Sequence, residues 1–436
     1  MPQHAQHPAT MPLRWSLLVA PVAGALILSG CAAGGGDDGG DSGGDSAAAD
    51  SFSVMVAQAN DQDVAYQELI TQYSEETGVD VEVIPYPSEA YNTQLTTQLQ
   101  AGNAADAMIL APGTGQPISV ISLAEAGFLE PVDETSADVI PEGTESMYEV
   151  DGKIYAQPTS LSVSGFVYNP AAGEEVGVDE FPSSFDDLLE ACKTARDGGK
   201  SFAVIAGGVP FNTGLLAQIV SATRVYAETP DWNQQRADGD VTFADSDGWK
   251  QTLEDIITMN EEGCYQDGAA GGTFDSITNG LGGGSALSAP VPGSAATSIN
   301  AGAGLETDVQ AFPPADGQDA FALASANYAW GINAAAEDGA KAAVQQFLDW
   351  AAEPEQAKTF ADLFGAVPIS GISADTLLPV YQPIAELLES GAYAGLPNAE
   401  WPNPAVYDAL GVGVQGLLTG QKTVDQVLEE MDAAWG

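Results

Sequence analysis

With 436 residues, 62 acidic side chains against 11 basic ones and a formal net charge of -51, the chain is long enough for two domains and too acidic to neutralise a phosphate backbone or anionic headgroups. Nucleic-acid binding and peripheral membrane binding are therefore disfavoured. The 44% hydrophobic content is spread through the chain without repeated long apolar runs, so a folded body outside the bilayer is expected, its surplus carboxylates read first as a solvated surface.

At the N-terminus, Arg14 precedes an apolar stretch from Trp15 to Ile27, and Leu28-Ser29-Gly30-Cys31 closes it with small residues before a cysteine. This segment resembles a bacterial lipoprotein signal, which implies a signal peptide over 1–30, cleavage before Cys31 and a diacylglyceryl group on that thiol. The stretch is shorter than the roughly 20 apolar residues of a spanning helix. Its basic region departs from the pattern, with His4, His7 and Arg14 but no lysine, and an uncleaved anchor helix is the alternative. Both histidines of the chain lie here, so the mature protein has none. Ser-His-Asp and Cys-His catalysis and imidazole zinc sites are then impossible, and neither metal nor cofactor is expected. Of three cysteines, Cys192 and Cys264 remain, as one disulfide in an oxidising exterior or as two separately buried thiols.

Residues 31–50 are almost wholly Gly, Ser, Asp and Ala and read as a disordered tether spanning on the order of 25 Å. From Ser51, Phe52, Val54 and Val56 alternate as a first strand. Ala65, Leu69, Ile70 and Tyr73 recur at helical spacing up to Gly78, and Val79, Val81 and Val83 form a second strand. Tyr91, Leu95 and Leu99 mark a helix stopped at Gly102, before a buried strand from Ala107 to Leu110. Strand, helix, strand, helix, strand implies a mainly parallel sheet covered by helices, with ligands approaching the carboxyl ends of its strands. Further on, Ser183 with Asp186 predicts a capped helix through Leu188, Leu189 and Cys192; Phe202–Ile205 predicts a strand; Leu215–Tyr226 and Trp249–Asn260 predict helices.

Several segments carry a family likeness. Glu76-Thr77-Gly78-Val79 is followed by a Tyr91-led helix ending in Ala101-Gly102; Asp151-Gly152-Lys153-Ile154-Tyr155-Ala156-Gln157-Pro158 precedes Phe166-Val167-Tyr168-Asn169. Gly331-Ile332-Asn333-Ala334 leads into a helix, and Leu418 to Val424 contains Gly420 and Thr423 ahead of the last helix. In order and spacing these resemble the extracellular solute-binding proteins of the maltose-binding type that serve ABC importers, from Ser51 to Gly436. Ala105-Asp106 stands where the family usually has Pro-Asp. The resemblance implies a two-lobed α/β fold of the type II periplasmic-binding-protein kind, with lobes of 51–163 plus 325–367 and 164–324 plus 368–436 joined by a hinge. It also implies ligand capture by hinge closure, an ABC permease as partner, a monomer at the outer face of the cell membrane held only by lipid, and no catalysis.

Sugars present apolar C–H faces ringed by hydroxyls, so aromatic platforms and short polar groups are the candidates. Gln58, Asn60 and Asp61 follow the first strand, Asp106 precedes the third, and Thr114 lies in a Pro-Gly-Thr-Gly loop that lacks the lysine of a phosphate cradle. Tyr328 and Trp330 flank the second crossing, Trp401 lies before the closing helices, and Phe211, Asn212 and Trp232 come from the second lobe. Each has a plainer reading as core, cap or surface. A neutral mono- or oligosaccharide is the expected ligand; a cationic solute such as a polyamine, and an anchored glycosidase using paired carboxylates, are the alternatives.

Overall fold

Two sheets carry the chain, and the reason each forms is local. The computed structural model describes residues 48–58, 64–141, 143–315, 317–326 and 328–436; the signal segment, Cys31, most of the tether, Asn60 and Asp61 lie outside them. In the first lobe the strand Ser51–Gln58 runs parallel to Asp80–Pro87 on one side and to Ala107–Leu110 on the other. The helices Ala65–Thr77 and Ser88–Ala101 make the crossovers. Gly78 and Gly102 end them in the left-handed region (φ 78° and 68°), where an L side chain would be strained and where their N–H groups cap the last carbonyls. The strand Ala329–Asn333 returns antiparallel to Ala107–Leu110, with Trp330 opposite Ile109, and Leu129–Glu130 and Ala156–Pro158 pair to it.

In the second lobe Leu161–Tyr168 is the middle strand, antiparallel to Ala286–Pro292, Asp308–Gln310 and Ala322–Ala326. Ser201–Ala203 and Tyr393–Ala394 close the two edges in parallel. Two α/β lobes are thus present as expected, but the strands on either side of each crossing each pair antiparallel to at least one neighbour and make both sheets mixed. The chain passes from one sheet to the other at 158–161 and back at 326–329. One core fills the first sheet and one face of the second; a separate core, built on the other face of the second sheet, contains Phe166, Phe202, Trp249 and Leu410.

Three second-lobe elements differ from the sequence reading. Ser184, not Ser183, caps the helix Phe185–Asp197 by accepting from Asp187 N, and both serine hydroxyls donate to the Asp187 carboxylate. The strand at Phe202 ends at Ala203. The helix expected from Leu215 begins at Pro210, whose fixed φ suits a first turn, and its end, Ala222–Tyr226, is a π-helical turn. The wider turn lets both Arg224 and Tyr226 point inward: Arg224 Nε lies 2.7 Å from Asp255 Oδ2, and Tyr226 Oη donates to Asn233 Oδ1 at 2.8 Å. Cys192 and Cys264 are joined in a disulfide that ties the helix Phe185–Asp197 to the end of the helix Asp247–Glu261.

Candidate functional site

The groove between the lobes is built where elements of both end. From the first lobe, the strand Ala107–Leu110 runs into the loop 111–116, where Gly113 holds φ +72°. From the second, the helices Pro210–Ser221 and Pro404–Leu418 lie against each other. Two glycines permit this approach: a Cβ on Gly411 would sit 2.2 Å from the Pro210 carbonyl oxygen, and one on Gly214 would sit 2.9 Å from the Tyr407 ring. With the backbones this close, the start of the first helix packs along the second between Tyr407 and Gly411, and Asn403 caps the second by accepting from Ala405 N.

That contact brings together Phe211 and Tyr407. Their ring centroids are 6.2 Å apart at an interplanar angle of 62°, and Tyr407 Oη donates to the Phe211 carbonyl at 2.8 Å. Burial, with Asp408 adding to it, pushes the Tyr407 phenol up, so it stays protonated and keeps its donor role at neutral pH. Phe211 is 53% exposed, an uncommon position for a large ring next to a groove. Tyr407 edges a cavity of about 220 Å³ whose walls come from both lobes: Gly115 and Gln116 from the first, Asn398, Trp401 and Asp408 from the second, and Ser325-Ala326 at the crossing between them. Its described lining contains one carboxylate, Asp408, and neither lysine nor arginine. Such a wall offers a ring edge, a carboxylate and neutral amides, which suits hydroxyl-bearing ligands and gives no counter-ion to an anion.

The residues singled out from sequence divide sharply. Phe211 stands half-exposed against Tyr407, which borders the cavity, and is not itself part of the cavity's described lining. Thr114 lines the neighbouring space of about 350 Å³ with Ser146 and Glu400, Gln58 ends its strand half-buried, and Tyr328 is half-buried with its carbonyl accepting from Thr159 N. Asp106 accepts through its carboxylate from Ser53 N and Oγ at 2.8 and 2.7 Å, before the third strand begins and away from that strand's carboxyl end. Asn212 is 1% exposed and spends its side chain on Ala206 N and Pro290 O. Trp330, 1% exposed, is wedged edge-on between Tyr66 and Phe347, with centroids at 5.2 and 5.1 Å, and offers no face to a ligand. Trp232 is buried against Phe243 and Trp249. Trp401 is buried too; it closes the cavity from behind, with Nε1 donating to Asn233 Oδ1 at 3.2 Å. The indoles went inside because the largest apolar surface gains most from leaving water. Tyr407, Asp408, Gln116 and Asn398 were missed. The Asn403-Pro404 pair is a readable helix start that would have put Tyr407 and Asp408 at the beginning of a helix.

The sequence matches the family model described as bacterial extracellular solute-binding protein over residues 57–358. No curated protein matches it. Among solved structures it is similar to a chitin oligosaccharide binding protein (19% identity, TM-score 0.70, 88% of this chain and 98% of the other). It is also similar to the apo form of RafE from Streptococcus pneumoniae (18%, 0.72, 88% and 97%) and to a cyclic alpha-maltosyl-1,6-maltose binding protein from Arthrobacter globiformis (18%, 0.70, 88% and 97%). At these identities the likeness speaks for the fold.

Proposed function

Since the chain belongs to the bacterial extracellular solute-binding proteins, a family of type II two-lobed fold, we propose that it captures a neutral mono- or oligosaccharide in the groove beside Phe211 and Tyr407 and passes it to an ABC importer. The observation that carries this reading is the half-exposed Phe211–Tyr407 pair at the edge of a two-lobe cavity free of cations. A pyranose places its C–H face on the Phe211 ring, while Asp408, Gln116 and Asn398 accept from or donate to its hydroxyls. Sugar-binding structural neighbours support the class of ligand. Closure of the lobes is driven by the ligand's greater affinity for the state in which both walls touch it, and the permease reads that state.

The protein is anchored through lipid on Cys31 and works at the outer face of the membrane as a monomer; no described helix is long and apolar enough to cross a bilayer. On this reading the protein binds and does not catalyse, in keeping with its family; the alternative of paired-carboxylate hydrolysis would need two acids about the reacting bond. Asp408 without a cation opposite it also suits a cationic solute. The test is thermal stability of the purified protein with chitin oligosaccharides, raffinose, maltotetraose and spermidine, since a ligand of the folded state alone raises the unfolding temperature by mass action. A rise with a saccharide that persists in high salt supports the proposal. A rise only with spermidine, lost in salt, replaces it with the cationic reading, and silence across the panel removes both.

A further inference from the structure

The strap Leu396–Trp401 has the cleft on one side and the first lobe on the other. Asn398 and Trp401 border the cleft cavity, while Glu400 borders the separate space that also holds Ser146. The strap is fastened to the second lobe by a buried hub, Asn233. Its Nδ2 donates to Pro397 O (3.2 Å) and Glu400 Oε2 (2.7 Å), and its Oδ1 accepts from Tyr226 Oη (2.8 Å) and Trp401 Nε1 (3.2 Å). Gln218 Nε2 adds a bond to Asn398 Oδ1 at 2.8 Å. Toward the first lobe, two contacts among the described residues fix the strap. Ser146 Oγ donates to Glu400 Oε1 at 3.3 Å, and Gly113 presses so closely that a Cβ there would lie 2.5 Å from the Ala399 carbonyl oxygen. Gly113 N donates to Met147 O, so both contacts belong to one first-lobe unit.

We propose that the strap is an interlobe latch: Glu400 and Ala399 hold the first lobe through Ser146 and Gly113, and so set the angle between the lobes before any ligand enters. The Glu400 carboxylate accepts from one residue of each lobe, and a rotation about the crossings at 158–161 and 326–329 stretches that bridge and slides Gly113 off Ala399. A contact present in one lobe arrangement and absent from another shifts their populations by its differential strength. Because the strap's other face is the cavity wall, the resting lobe angle and the ligand wall are one mechanical unit. The inference concerns the empty protein and holds whatever the ligand is, so its failure and that of the saccharide reading are separate results.

The test is small-angle X-ray scattering and hydrogen exchange on the ligand-free protein with Ser146→Ala, Gly113→Ala and Gly143→Ala. Ser146 is exposed, so its loss removes the bridge without touching a core. Gly113→Ala drives a methyl group into the strap. Gly143 has φ +82° and nothing within 4 Å of an added Cβ, so Gly143→Ala carries similar backbone strain without the wedge. Expected are a shifted radius of gyration in Ser146→Ala and Gly113→Ala and faster exchange over 396–401, with Gly143→Ala matching the parent. Scattering curves and exchange rates of Ser146→Ala and Gly113→Ala that superimpose on those of the parent would overturn the latch; so would an equal shift in Gly143→Ala.

Discussion

Replacing Phe211 by alanine separates binding from stability. The side chain is 53% exposed, so about half of the roughly 1.5–3 kcal/mol available from fully burying a ring of this size is still to be gained when a ligand covers it, or about 0.8–1.6 kcal/mol. Stacking geometry on a ring face adds about 0.5–1.5 kcal/mol. The sum corresponds to a loss of about tenfold to two-hundredfold in Kd. Folding stability falls by only about 0.7–1.4 kcal/mol, because less than half of the ring is buried in the free protein. Trp330→Ala is the converse. Its ring is 1% exposed between Tyr66 and Phe347, so the variant loses about 3–5 kcal/mol of stability. Its affinity, measured below its unfolding transition, stays that of the parent. The assays are titration calorimetry with the panel sugar that raises the unfolding temperature most, and urea unfolding of both variants. An intact Kd in Phe211→Ala together with a large loss of affinity in folded Trp330→Ala would refute the assignment of the groove.

Three further outcomes follow from the same contacts. Reducing Cys192–Cys264, or replacing both by alanine, frees a loop with a separation of 72 residues; chain entropy puts the cost at about 4.4 kcal/mol, read by urea unfolding with and without reductant, and a loss below about 1 kcal/mol would contradict it. Asp255→Asn strands the buried Arg224 guanidinium and costs about 3–5 kcal/mol, whereas Arg224→Met with Asp255→Leu, which removes both charges, stays far closer to the parent in the same assay. Burial holds the Asp308 carboxyl above the usual carboxylate range of about 3.9. The native state therefore binds this proton more tightly than the unfolded chain. The stabilisation is complete below the unfolded value and disappears as pH rises through the native one, so Asp308→Asn flattens the fall in unfolding temperature between pH 4 and 7; an unchanged slope would refute the assignment.

How much was readable varied with how local the cause was. In the first lobe, Val54, Val56, Leu95 and Leu99 declare their period along a few residues, and Gly78 and Gly102 stop their helices by backbone conformation alone, so the alternation of strands and helices emerged without tertiary knowledge. In the second lobe the cap moved to Ser184, and the helix after Pro210 ended in a π-turn whose Arg224 meets Asp255, 31 residues further along the chain. No local pattern carries that contact.

The amino-acid order by itself determined the acidic composition, the two-lobed α/β class and the family. It also named aromatic rings as the material of the site. Which rings face the groove was decided by tertiary structure: Trp330 and Trp401 are as aromatic as Phe211, but exposure depends on neighbours brought from elsewhere in the chain. Phe347 and Tyr66 cover Trp330, whereas Gly411 and Gly214 let two helices pack closely and leave Phe211 in water beside Tyr407. The physical reason is that burial belongs to the packed assembly and not to the residue, so residue type can nominate a platform while only packing leaves its face free.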